Sequence, residues 1–231
     1  MPSSPDVRLS TNSVPLQYPG GASAPAAVVL LHGRGATAQS IVPLAADLGR
    51  GDLPALAPQA PGGAWYPLSF LAPLGANEPA LSAALEIVAD VVRRAEAAGV
   101  PQSRLALVGF SQGACLALEA AARIGGRWGA VVAFSGALIG TGEADDRTAT
   151  LPGPGGPFAD KTFEYARPLG ATPVFVGVSD VDPHIPLARA ERTAKVLQRL
   201  EADLDFRVYP NAGHAILPDE IEAATALLAE L

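Results

Sequence analysis

Short unbroken apolar runs alternate along the chain with longer stretches in which apolar residues return every three or four positions. The first pattern predicts buried strands and the second amphipathic helices. The runs are Val28-Val29-Leu30-Leu31, which ends in His32-Gly33, then Leu105-Ala106-Leu107-Val108 and residues 130–134, 174–178 and 204–209, with 53–56 a weaker strand candidate. Helical spacing predicts 39–49, where Ile41, Val42, Leu44, Ala45 and Leu48 share a face and Gly49 closes the segment. Residues 80–98 place Leu81, Leu85, Val88 and Val92 on one stripe, and 112–124, 188–200 and 218–231 complete the helices. Unbroken strands alternating with helices imply an α/β fold, a mostly parallel central sheet with helices on both faces. No period of about 20–50 residues repeats, so the expectation is one domain over 1–231. An irregular insertion, expected as a surface loop, occupies 140–169 and carries Leu151-Pro152-Gly153-Pro154-Gly155-Gly156-Pro157.

Composition narrows the chemistry. The 231 residues, 49% of them apolar, suffice for a sizeable core. The single cysteine, Cys115, rules out an intramolecular disulfide and cysteine-rich zinc clusters, and leaves His32, His184 and His214 as the imidazoles. Sixteen basic against 23 acidic side chains, a net charge of −7, argue against a nucleic-acid backbone or an anionic membrane as main partner. Residues 1–10 lack the basic start and apolar run of a secretory signal, and the apolar stretch 24–31 falls far short of the ~20 residues that cross a bilayer. The expectation is a soluble, cytoplasmic protein acting on a small molecule, with no stable membrane insertion and with room for a homodimer.

The sharpest motif is Gly109-Phe110-Ser111-Gln112-Gly113, a G-x-S-x-G set between a predicted strand and a predicted helix. A tight strand-to-helix turn would present the Ser111 hydroxyl above the sheet edge, with glycines where a side chain would obstruct it. The plainer alternative is a serine that caps the helix. A serine nucleophile needs an imidazole base and a carboxylate to orient it, in the chain order Ser, acid, His. His214, in Asn211-Ala212-Gly213-His214, follows the last predicted strand and fits the base. In Ser179-Asp180-Val181-Asp182-Pro183-His184-Ile185, Asp182 stands farther from the strand than Asp180 and precedes a proline that fixes the turn. Asp182 therefore fits the acid, whereas Asp180 suits loop amides. His184, two residues from Asp182, reads as a rim residue. Leu31-His32-Gly33-Arg34-Gly35 follows the first strand, where the backbone amide of Arg34 could join that of Gln112 in an oxyanion hole. His32 would brace that loop, and the Arg34 side chain is a weak candidate for an anionic substrate group. Trp65, Tyr66, Phe70 and Leu71 either cover the core or line a cleft. Phe110, His184 and Ile185 complete the expected pocket, and Cys115 reads as a small core residue.

Together these segments resemble the phospholipase/carboxylesterase family of α/β-hydrolases, which includes acyl-protein thioesterases and small bacterial carboxylesterases. The matching pieces are Leu31-His32-Gly33-Arg34-Gly35, Ala57-Pro58-Gln59-Ala60-Pro61, Gly109-Phe110-Ser111-Gln112-Gly113-Ala114, Asp182-Pro183-His184-Ile185-Pro186 and Gly213-His214. The resemblance implies an α/β-hydrolase fold, a triad of Ser111, Asp182 and His214, and oxyanion donors at the amides of Arg34 and Gln112. Trp65-Tyr66-Pro67 and Ser69-Phe70 look like the bacterial carboxylesterase form of the loop over the acyl pocket, whereas 140–169 departs from the family pattern. The expected activity is hydrolysis of carboxylic esters of small to medium acyl chain, without cofactor or metal. Thioesterase or lysophospholipase action on long chains is the nearer alternative, and a non-catalytic binding module on the same scaffold the remoter one.

Overall fold

A computed structural model describes residues 24–140 and 163–231, so the expected insertion lies outside the described residues from 141 to 162. Among the described residues six strands form one sheet: β1 (Ala27–Leu31), β2 (Ala55–Leu56), β3 (Leu105–Phe110), β4 (Ala130–Phe134), β5 (Pro173–Ser179) and β6 (Asp203–Tyr209). Their order is β2-β1-β3-β4-β5-β6, and every pairing is parallel. All five residues of β1 and of β4 are buried, as strands covered on both faces require. Along β1, Val29 and Leu31 enter one apolar cluster while Val28 and Leu30 enter the other, the two-residue alternation of a strand.

The first cluster packs α3 (Ala80–Ala97), α4 (Gln112–Ile124) and α5 (Leu187–Arg199) against one face of the sheet. The second packs α1 (Ala38–Ile41), α2 (Leu44–Asp47) and α6 (Pro218–Leu228) against the other. Helix α3 buries Leu81, Val88 and Val92 from its predicted stripe and leaves Leu85 partly covered. The single helix expected at 39–49 is two short ones. Pro43 lacks the N–H that a continuous helix would need there, and its ring would meet the carbonyl one turn earlier, so the chain breaks between Ile41 and Leu44. No helix among the described residues is long and apolar enough to cross a membrane.

Parallel strands end at one edge. Leu31, Phe110, Ser179 and Tyr209, the last residues of β1, β3, β5 and β6, therefore release their following loops on the same side of the molecule. The chain leaves β1 outward to β2 and returns to β3 on β1's other side. The crevice where connections diverge in this way is where open α/β sheets bind ligands.

Candidate active site

Ser111 occupies the single residue between β3 and α4, with φ 56° and ψ −120°. A side-chain-bearing residue held there stores on the order of 1–3 kcal/mol of backbone strain. The turn is possible because two neighbours lack a Cβ: one at Gly109 would overlap the backbone of Gly113, and one at Gly113 would overlap the carbonyl of Leu31. The Ser111 amide donates to Phe134 O at 2.9 Å, which ties the turn to β4. The hydroxyl does not cap α4. It lies 2.8 Å from His214 Nε2 instead.

His214 Nδ1 lies 2.7 Å from Asp182 Oδ2. A carboxylate only accepts, so Nδ1 carries the proton and Nε2 presents its lone pair to the serine hydroxyl. The other carboxylate oxygen, Oδ1, accepts from the amides of His184 at 2.8 Å and Ile185 at 3.0 Å, which fixes the acid within its Pro183 turn. Burial pushes the Asp182 carboxyl up, but the His214 bond and the two amides outweigh it and hold the group below the usual carboxylate range. Asp180 accepts from the Asn211 amide at 2.7 Å, the loop role its position suggested. Ser179, which the sequence did not single out, accepts from Ala212 and Gly213 at 3.2 and 3.0 Å and so anchors the histidine loop to the end of β5.

The loop after β1 passes against the nucleophile: a Cβ on Gly33 would lie 3.5 Å from Ser111 Cβ. Within the loop His32 is fully buried, and desolvation lowers its pKa against the opposing effect of its bond to Gly33 O. The neutral ring donates from Nδ1 to Gly33 O at 2.8 Å and accepts at Nε2 from the Ala60 amide at 3.1 Å. Gln59, on the next loop, lies 3.2 Å from the same Nε2 and accepts from the Ala38 amide. The backbone amides of Arg34, in the loop after β1, and of Gln112, the first residue of α4, make no hydrogen bond among the described residues. Both side chains are occupied with the loop that follows Gln59. Arg34 donates to the carbonyls of Tyr66, Pro67 and Leu68 at 3.0, 2.9 and 2.6 Å. Gln112 accepts from the Trp65 amide at 3.0 Å and donates to Tyr66 O at 2.8 Å. The guanidinium is thus a clamp on that loop, not an open anion site.

A cavity of about 570 Å³ opens over Ser111. Tyr66, Phe70, Phe110, His184 and Ile185 line it as the sequence suggested, and Cys115 lines it too. Trp65 does not. Its indole, 1% exposed, turns toward the loop after β1, donates to His32 O at 2.8 Å and packs 5.0 Å from the imidazole. His184 meets His214 edge-on with ring centroids 4.8 Å apart, and Phe110 contacts the same ring at 5.1 Å. Burial drives the Cys115 thiol up to about 12, so it does not supply a thiolate. Among the described residues no three His, Cys, Asp or Glu side chains converge to hold a metal ion.

Comparison with known proteins gives two matching family models, phospholipase/carboxylesterase over residues 18–152 and prolyl oligopeptidase over residues 86–230. A crystal structure of a phospholipase/carboxylesterase from Dyadobacter fermentans is 36% identical, covers 89% of this chain and 90% of its own, and superposes with a TM-score of 0.78. The structure of esterase PE8 is 28% identical over 93% of this chain and 96% of that one, with a TM-score of 0.68. The acyl-protein thioesterase 1 of Gibberella zeae is 28% identical over 134 residues, 56% of this chain and 49% of the relative. The chain spans about half the length of the curated relatives it matches.

Proposed function

From a chain that belongs to the phospholipase/carboxylesterase family and has an α/β-hydrolase fold, we propose a serine esterase that cleaves carboxylic esters of small to medium acyl chain. The observation that carries the reading is the continuous hydrogen-bond relay from Ser111 Oγ through His214 to Asp182, at 2.8 and 2.7 Å. Ser111 Oγ attacks the ester carbonyl carbon while His214 Nε2 takes its proton. The carbonyl oxygen becomes an oxyanion facing the Arg34 and Gln112 amides. Collapse breaks the ester C–O bond, His214 returns the proton to the leaving alkoxide, and the acyl group remains on Ser111. Water, deprotonated by His214, then attacks the acyl-enzyme, and the acid departs with Ser111 Oγ reprotonated.

In this reading Asp182 holds the Nδ1–H tautomer and stabilises the imidazolium. No cofactor is needed, the partner is a small-molecule ester, and a single cysteine suits a cytoplasmic setting. The thioesterase relatives favour a second reading, thioester cleavage with long acyl chains, and the prolyl oligopeptidase match raises amide cleavage by the same relay. The test is a fluorophosphonate probe followed by p-nitrophenyl esters from C2 to C16, an acyl thioester and a p-nitroanilide. Wild type should be labelled and Ser111→Ala should not, with kcat/KM highest at short to medium esters. Equal labelling of both proteins would remove the serine mechanism, and efficiency rising to C16 would establish the long-chain reading instead.

A further inference from the structure

The two edges of the sheet are unlike. Strand β2 closes one with two residues, whereas β6 closes the other with seven, paired to β5 in unbroken register from Asp203 to Tyr209. Edges are commonly blunted by shortness, a bulge, proline or a row of lysines. Strand β6 has none of these, and its charges are of both signs. The phase of its backbone is fixed at both ends: the Asp203 amide donates to Thr172 O at 2.9 Å, and Tyr209 O accepts from the Asp180 amide at 3.2 Å, so both residues face β5. Alternate residues of a strand turn their N–H and C=O groups to opposite sides. Leu204, Phe206 and Val208 therefore present theirs outward, where they have no partner among the described residues.

The side chains determine what an incoming strand must carry. Leu204 and Phe206 pack against the first apolar cluster, and Val208 beside them is 42% exposed. On the other face the exposed Arg207 and Asp205 pair at 2.9 Å, and Arg207 reaches Asp219 at 3.1 Å. Those bonds take one N–H from each terminal guanidinium nitrogen and leave one on each for a second carboxylate. A second copy of this chain meets these demands. Two-fold symmetry, the commonest in oligomers, runs the two β6 strands antiparallel. An axis through Asp205 or Arg207 sets like charges directly opposite, and one through Leu204 or Val208 pairs only part of the strand. An axis through Phe206 uses the whole strand: Phe206 faces its own copy, Leu204 faces Val208, and Asp205 faces Arg207. The outward groups of Leu204, Phe206 and Val208 then form the hydrogen-bonded pairs. Asp205 and Arg207 fall at the closer, non-hydrogen-bonded positions, where side chains meet best.

We propose that β6 is a homodimer interface, joining two copies into one continuous sheet about a two-fold axis at Phe206. The loops that carry His214 follow β6 and so lie at opposite ends of the joined strands, which leaves ester hydrolysis independent of the pairing. Sedimentation of the wild type at micromolar concentrations should give twice the chain mass. Residue-resolved hydrogen exchange should show the amides of Leu204, Phe206 and Val208 gaining protection as the dimer forms. Asp205→Arg and Arg207→Asp each set like charges opposite one another and should raise the dimer Kd by about 10–100-fold. Mixed in equal amounts, the two variants restore opposite charges across the axis, and native mass spectrometry should find the mixed dimer. Val208→Pro removes one outward donor at a position where an edge strand tolerates proline, and should weaken the dimer with kcat on p-nitrophenyl acetate unchanged. A monomeric wild type overturns the proposal, as does a dimer indifferent to these substitutions or a failure of the two folded charge variants to pair. Should a charge variant not fold, the wild-type exchange pattern decides: a dimer in which those three amides exchange freely overturns it.

Discussion

Arg34 combines two tasks at one position. Its backbone amide, the proposed oxyanion donor, makes no hydrogen bond among the described residues, while its guanidinium holds three successive carbonyls of the 66–68 loop. A planar fork with five donors can serve three acceptors at once, whereas a lysine ammonium on a flexible stem cannot reproduce that geometry. Arg34→Lys should therefore loosen both the loop and the amide beside it. On p-nitrophenyl acetate, too small to use the far end of the cleft, kcat should fall by about 10–100-fold with KM changed less, because oxyanion stabilisation appears in the transition state. Steady-state kinetics checks this, and an unchanged kcat would reduce the clamp to packing. Asp182→Asn tests the other end of the relay. An amide nitrogen turned toward His214 would favour the opposite tautomer and remove the lone pair from Nε2, so kcat should drop by about 10⁴ with little change in folding. Circular dichroism beside the kinetics separates the two effects. The Ser111, Asp182 and His214 positions were legible in the sequence because each chemistry needs its residue type in a set chain order. The Arg34 clamp was not, since three backbone carbonyls leave no signature in side-chain identity.

The strand–turn–helix element around Ser111 depends on glycines for space more than for flexibility. Neither Gly109 nor Gly113 has a positive φ; each is small because backbone passes where a Cβ would stand. Gly113→Ala would press on the Leu31 carbonyl at the root of the loop after β1, shifting α4 and β1 apart. Overpacking of this kind costs about 1–3 kcal/mol, toward the upper end against rigid backbone. For a chain of this size that corresponds to a melting temperature lower by about 6–12 °C. Calorimetry on the variant checks it, and activity should fall further than stability alone explains. Elements with strict periodicity were read correctly, α4 and β4 to the residue and α3 to within one. The 39–49 segment shows why periodicity can mislead: its apolar spacing survives in two short helices because the same side chains still face the sheet, although Pro43 has broken the backbone ladder. Trp65 was misplaced for a related reason. An aromatic in a Pro/Gly-rich loop gives no indication of which side of the loop it takes, and here the buried His32 carbonyl supplies the partner that its indole N–H requires.

At the scale of the molecule, the β5–α6 contact links a buried charge to the pH at which the fold is most stable. Glu220, 1% exposed, lies in the first turn of α6 with its side chain across Gly177 of β5, where any Cβ would collide with the carboxyl group. One oxygen accepts from the Leu217 amide at 2.7 Å and closes the far end of the loop that carries His214. Burial raises its pKa to about 7; the Leu217 bond opposes that rise, and neighbouring Asp219, itself engaged by Tyr209 and Arg207, adds to it. The sign follows from which state ionises first. Between the usual Glu value of about 4.3 and about 7, the unfolded chain releases this proton while the folded chain keeps it, so folding grows less favourable as pH rises and levels off above 7. Allowing for water at the helix end, this amounts to about 1–2 kcal/mol, or about 2–8 °C in melting temperature. Glu220→Gln can keep the bond to Leu217 and lacks the titration. How well the amide packs shifts its melting temperature equally at every pH, so the informative quantity is the difference between variant and wild type as pH changes. That difference should move in the variant's favour by about 2–8 °C from pH 5 to pH 8, and a difference that stays flat across the range would show that Glu220 ionises in the folded protein as it does in water.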